Sequence, residues 1–223
     1  MKKLPKQYQK IYKEFYKNYS SANSFFRRIS LLVEKWYHLQ AANAYPKADK
    51  ILEIGAGNLN HLKFEKNFKK YDVIEPKNYL LEIASLKNKK KVNNKYADIK
   101  LIPKNSKYDK IIAIAVIEHI ENLELLFSEI NLHLKKEGKL VIEIPAEGEF
   151  LWWLGWRMTT GIGFWLKYKL DYGVIMKYEH VNNAKIILNK IEKFFKIEKI
   201  KSFPLNIQHA RLYIHIVCSK KHY

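Results

Sequence analysis

Ile51-Leu52-Glu53-Ile54-Gly55-Ala56-Gly57-Asn58 is an apolar run that closes on two glycines one residue apart. Such a run reads as a buried strand entering a tight turn and then a helix. Glycine lets the backbone come close to a ligand where a Cβ would clash, so Gly55 and Gly57 mark a point of close approach. The next apolar run, Tyr71–Glu75, ends on an acidic residue 20 positions after Gly55. A carboxylate at that spacing is placed to accept hydrogen bonds from ribose hydroxyls. Asn60 stands where a dinucleotide-binding turn has its last glycine, so the pyrophosphate form of this turn is not expected.

Outward from that turn, short apolar runs alternate with amphipathic stretches. Lys110–Ala115 and Leu140–Pro145 read as further strands, and Leu123, Leu126, Phe127, Ile130 and Leu134 fall at helical spacing between them. Alternating strands and helices predict an α/β fold, doubly wound, with a mostly parallel sheet covered on both faces. The first 45 residues read as helical. Ser24 is placed to cap a helix carrying Phe26, Ile29, Val33, Trp36 and Leu39, and Pro46 ends it. Near the other end, Ile187, Ile191, Phe194 and Phe195 mark a last helix, with Asn182 or Asn183 as its cap. Strands Lys196–Phe203 and Arg211–Cys218 follow, joined by a short loop containing Pro204, so they are expected to pair antiparallel. The stretch 146–178 fits neither pattern. It holds four of the five Trp residues and reads as a helical insertion above the carboxyl end of the sheet.

Five segments in order resemble the class I S-adenosylmethionine-dependent methyltransferases. Glu53–Gly57 resembles the family's first motif, and Tyr71–Pro76 its ribose-binding strand. Tyr96–Ile99 is similar to the segment whose Asp approaches adenine, Tyr108–Ile120 to the fourth-strand motif, and Leu134–Pro145 to the Gly-turn and fifth strand. The resemblance implies a seven-stranded Rossmann-like sheet with its last inserted strand antiparallel. It implies S-adenosylmethionine as cofactor, lined by Glu53, Gly55, Gly57, Glu75, Asp98 and Ala115. The order Pro145–Gly148, Leu170–Tyr172 and Glu179–Asn182 is similar to methyltransferases of bacterial surface-polysaccharide and lipid-modifying pathways. Methyl transfer to a hydroxyl of a sugar or glycolipid precursor is the activity expected from it. Four segments follow: 1–48, N-terminal helices; 49–145, the cofactor-binding core; 146–180, an aromatic cap; and 181–223, the last helix and the antiparallel strand pair.

Displacement at a sulfonium methyl has a good leaving group, so alignment supplies much of the catalysis, but a hydroxyl nucleophile calls for a base. His180, His119 and Glu147 are the candidates, each just beyond a strand or at the end of the insertion. No metal is expected. Some members of the family hold magnesium with Glu-x-x-Glu-His, and here Ala115 occupies the first Glu position. The insertion also reads as an interfacial segment, since Trp flanked by Arg157, Lys167 and Lys169 suits a headgroup layer. Phe150–Leu166, with Arg157 inside it, is too short and too polar for a transmembrane span.

Charge is the strongest compositional signal: 41 Lys+Arg against 22 Asp+Glu, a net charge of +19. Such an excess fits nucleic-acid or anionic-membrane partners. All but Arg27, Arg28, Arg157 and Arg211 are lysines spread along the chain, whereas bidentate phosphate recognition favours Arg. Nucleic acid is therefore not the expected partner. RNA or protein methylation on the same fold, and a non-catalytic membrane-surface binding protein, are the alternatives. Eight Gly and six Pro exclude a collagen-like chain. One cysteine, Cys218, closes no intrachain disulfide, and Met1–Lys10 shows no secretory signal. A cytoplasmic location, with peripheral contact to a membrane left open, is the resulting expectation.

Overall fold

The computed structural model describes residues 4–18, 25–77 and 92–221. Two helices, α1 (Lys6–Asn18) and α2 (Phe25–Ala44), precede a seven-stranded sheet; Ser24, the expected cap of the second, lies outside the described residues. The strands are β1 (Lys50–Ile54), β2 (Lys70–Ile74), β3 (Lys95–Tyr96), β4 (Tyr108–Ile114), β5 (Leu134–Pro145), β6 (Phe195–Pro204) and β7 (Arg211–Lys220). Their order in space is β3-β2-β1-β4-β5-β7-β6. The first five run parallel, and β7 lies antiparallel between β5 and β6. Strand order reverses between β1 and β4, which opens a crevice at their carboxyl ends.

Side-chain alternation divides the core. Leu52 and Ile54 of β1 point to one face and Ile51 to the other. On the first face, helices α3 (Leu123–His133) and α7 (Ala184–Phe194) bury Phe127, Ile130, Ile187 and Ile191. Asn122 Oδ1 accepts from the Leu125 amide at 3.0 Å to cap α3, and Asn183 Oδ1 accepts from the Ile186 amide at 2.9 Å to cap α7. On the opposite face, Ala41 of α2 packs on Ile51, Tyr71 and Val141.

Two local features depart from the sequence reading. Residues 57–64 do not form the helix expected after the glycine turn. They make successive four-residue turns, with Leu59 at φ 58°, outside the right-handed helical region. Strand β5 begins at Leu134, directly after α3, and Gly138 sits inside it. A Cβ at Gly138 would stand 3.0 Å from the Tyr108 carbonyl oxygen, where the β4–β5 register shifts.

The aromatic insertion is helical: α4 (Phe150–Trp156), a π turn at Arg157–Gly161, α5 (Ile162–Tyr168) and α6 (Gly173–Glu179). Phe164, Tyr172 and Ile175 of the insertion pack with Leu4 and Tyr8 from the start of the chain, so the N-terminal helix braces the cap. Among the described residues, no helix is long and apolar enough to cross a membrane.

Candidate active site

A cleft of about 1380 Å³ opens over the carboxyl ends of β1, β2 and β4. Gly55, Glu75, Asp98, Ala115 and Val116 line one end, and Tyr12, His119, Tyr172, Met176 and His180 the other. At the first end, Glu75 Oε2 accepts from the Gly57 amide at 2.9 Å and Oε1 from the Lys77 amide at 3.0 Å. The carboxylate is thereby fixed at the strand end, and each oxygen keeps a second lone pair. Gly55 has φ +70°, and a Cβ there would stand 2.5 Å from Val116 Cγ2. Gly57 has φ +48° and faces open space. Ala115 also adopts a positive φ, 49°, with its amide bonded to the Glu143 carbonyl at 2.9 Å. Asp98 sits at the rim, where its Oδ1 accepts from the Lys100 amide at 2.9 Å.

Glu53 is placed differently from its expected role. It follows Leu52 in β1, so alternation turns it away from the face that Leu52 shares with Ile54. It is buried, it does not line the cleft, and its Oε2 accepts from Tyr71 Oη at 2.7 Å. Beside it lies a buried polar chain. His38 and His61 meet Nδ1 to Nδ1 at 3.0 Å, His61 Nε2 lies 2.8 Å from Glu65 Oε1, and Lys110 Nζ donates to Glu65 Oε1 at 2.7 Å. This chain ties the turns after Gly57 to α2 and β4.

At the other end, His180 Nδ1 lies 2.7 Å from Glu147 Oε2. His119 Nδ1 lies 2.9 Å from the Glu179 carbonyl oxygen, which can only accept, so Nδ1 of a neutral His119 carries the proton. The His119 and His180 rings meet edge to face with centroids 4.8 Å apart, and the Trp152 ring lies 6.1 Å from His180. Tyr12 Oη donates to Glu179 Oε1 at 2.7 Å. The structure therefore brings His180, His119 and Glu147 together, although 61 residues separate the first two in sequence.

Residues 25–184 match the family model described as "Methyltransferase domain". The chain belongs to this methyltransferase family. The fold agrees with solved structures of low sequence identity. The N-methyltransferase NodS from Bradyrhizobium japonicum WM9, in complex with S-adenosyl-L-homocysteine, is 14% identical, with 98% of this chain and 100% of that one covered and a TM-score of 0.64. The PH0226 protein from Pyrococcus horikoshii OT3 is 17% identical over 93% and 99% of the two chains, TM-score 0.60. A possible histamine N-methyltransferase from Thermotoga maritima is 22% identical over 88% and 98%, TM-score 0.57. No curated protein matches the sequence.

The methyltransferase uses S-adenosylmethionine, and its cleft fits that cofactor. A fixed carboxylate at Glu75 suits a ribose diol, the open space over Gly57 admits close approach, and Ile74 and Ile99 offer apolar walls. Electrostatics separate the two ends. Burial lowers the His180 imidazole pKa, but its hydrogen bond to Glu147 and the charges of Glu147, Glu118 and Glu179 outweigh that, and the net shift is upward. Burial pushes the Glu118 carboxyl up to about 7, and Glu118 Oε2 has no hydrogen-bond partner. Partial burial lowers His119. Burial also pushes Glu53 up to about 7 and His38 down to about 3, so these two groups beneath the turn favour their neutral forms. Glu118, His119 and His180 bring three ligand-capable atoms within 4.8 Å of one another, so among the described residues they form the group that could hold a metal ion.

The sequence reading missed Tyr12. It reaches the cleft from a helix 167 residues away from its partner Glu179, and helical spacing alone does not tell which face of α1 meets the cap.

Proposed function

We infer that the methyltransferase acts on a hydroxyl of a sugar or glycolipid precursor, with His180 as general base. The observation that carries this reading is the His180–Glu147 pair at 2.7 Å, at the end of the cleft away from Glu75 and beside Trp152. When bound, S-adenosylmethionine supplies a methyl group on a cationic sulfur. Glu75 would hold the ribose and Asp98 the adenine side, while Gly55, Gly57 and Ala115 let the backbone lie against the cofactor. Glu147 accepts from His180 Nδ1–H, which leaves Nε2 as the lone pair that takes the acceptor proton. Tyr172 lines this end of the cleft and offers a flat face on which a sugar ring stacks. His119, fixed by the Glu179 carbonyl, orients the acceptor beside His180.

An amine acceptor is the second reading. Glu118, Glu147 and Glu179 gather at this end and suit an ammonium group, and two of the structural neighbours are described as N-methyltransferases or possible ones. Methyl-transfer assays with hydroxyl and amine sugars, read by mass spectrometry of the product, separate the two. Transfer confined to nitrogen, or to RNA or protein, overturns the hydroxyl reading. The reading also needs no metal, so treatment with EDTA leaves turnover intact. Loss of turnover restored by a divalent cation would reassign His119 and His180 as ligands. Residues 146–180 act in this scheme as a cap on the acceptor end, in a cytoplasmic enzyme that meets its acceptor at a membrane when that acceptor is a glycolipid.

A further inference from the structure

The insertion presents an inverted helix. A surface helix of a water-soluble protein turns polar residues outward. Across α4, the π turn and α5, the outward positions are instead Phe150, Trp153, Met158, Ile162, Trp165 and Leu166, each between 43 and 60% exposed. They recur along 150–166 at steps of three to five residues, with Trp165 and Leu166 adjacent. The inward positions are already used. Trp152 packs on the main core, Trp156 on the Tyr172 cluster, and Phe164 is buried among Tyr8, Tyr172 and Ile175.

Charge along this stripe is predominantly positive, with exposed Asp171 at its end. No Asp or Glu lies between Phe150 and Leu170, while Arg157, Lys167 and Lys169 are present and exposed. The Arg157 guanidinium lies 4.7 Å from the Trp153 ring centroid, and Lys169 Nζ lies 4.5 Å from that of Trp165. Cations held over indole rings, next to bare Phe, Ile, Leu and Met, form a surface whose two halves want different surroundings. The apolar half calls for hydrocarbon and the cationic half for anions, and a headgroup layer supplies both within a few ångströms. A second copy of this chain suits it poorly, since the one acid beside the stripe, Asp171, is outnumbered by Arg157, Lys167 and Lys169 and the whole chain carries +19.

We propose that the outward face of residues 150–169 docks on the surface of an anionic lipid bilayer, with Phe150, Trp153, Ile162, Trp165 and Leu166 entering the headgroup–acyl boundary. This deepens the glycolipid arm of the proposed function and rests on it only for the identity of the acceptor. The opposite face of the same helix carries Trp152, 6.1 Å between ring centroids from His180, so docking would place the acceptor end of the cleft at the bilayer surface.

Co-sedimentation of the full chain with phosphatidylcholine vesicles, with and without phosphatidylglycerol, tests the docking. Binding is expected to anionic vesicles and to weaken with salt. The double variant I162E/L166E is expected to lose at least 10-fold in partitioning, and K167E/K169E about five-fold per charge removed. Both variants alter exposed side chains, and an unchanged thermal melt and unchanged S-adenosylhomocysteine affinity establish that they are folded. Failure of the wild type to bind anionic vesicles, or equal binding by wild type and variants, overturns the proposal. So does a dimer, seen by light scattering, that I162E/L166E dissolves. Methyl transfer to a water-soluble acceptor, unaffected by these variants, separates a failed docking face from a failed acceptor reading.

Discussion

His180 shows how one side chain acquires a role from residues remote in sequence. The base role proposed for it needs a neutral imidazole, and its pKa lies above the ordinary value because Glu147 and neighbouring carboxylates outweigh burial. Turnover is therefore expected to rise with pH along a limb centred above about 6.5. The same shift has the opposite effect on stability. The His180–Glu147 contribution is full below about 6.5 and lost as pH rises through the folded value. E147Q removes the charge and leaves burial dominant, so the limb should move to the acid side; a pH–rate profile that does not move would remove Glu147 from this role. H180A is expected to lower kcat about 100-fold or more with S-adenosylhomocysteine affinity nearly unchanged. At Glu75 the conservative test is E75Q, which keeps volume and removes the charge. Weakening by about 10-fold or more in calorimetric titration is expected, because hydrogen bonds to a charged acceptor are the stronger kind. An unchanged dissociation constant would move the ribose elsewhere.

At the scale of elements, the turn after β1 depends on supports that lie beneath it. Gly55 is required twice over, by φ +70° and by the 2.5 Å approach that a Cβ would make to Val116. Below the turn, Lys110 of β4 and Glu65 form a buried ion pair joined through His61 to His38 of α2. Removing one partner of such a pair leaves the other charge buried and uncompensated. K110M is expected to cost about 3–5 kcal/mol in denaturant unfolding, far more than a surface Lys such as Lys69, whose ion pair with Asp49 is exposed. The network explains why a helix reading failed for 57–64. His61 and Glu65 are held from α2 and β4, and Leu59 leaves helical dihedrals to let them reach. Nothing in the local periodicity carries those long-range tethers.

For the molecule as a whole, the net charge of +19 is distributed as lysines rather than concentrated as an arginine-lined groove. Binding to generic RNA or duplex DNA is expected to be weak and to fall steeply between low and physiological salt. Fluorescence anisotropy across a salt series measures this, and tight sequence-selective binding that survives physiological salt would favour an RNA acceptor instead.

The alternation of strands and helices and the glycine turn after β1 were legible in the residues themselves. Alternating apolar runs, paired glycines and an acid 20 positions on are local signals, because strand burial and tight turns impose their demands on neighbouring residues. Glu75 reached the cleft as its place at a strand end implied, whereas Glu53, two residues before Gly55, took the opposite face of its strand. The histidine end of the cleft could not be assembled from local pattern. Tyr12, Glu118, His119, Glu147, Glu179 and His180 come from separate elements, and their contacts depend on how the cap and the N-terminal helix pack over the sheet. Sequence by itself determined the α/β class and the glycine turn after β1, since both follow from local periodicity and backbone sterics. Only the tertiary structure decided which ionisable groups face one another, because that is fixed by packing between elements far apart in the chain.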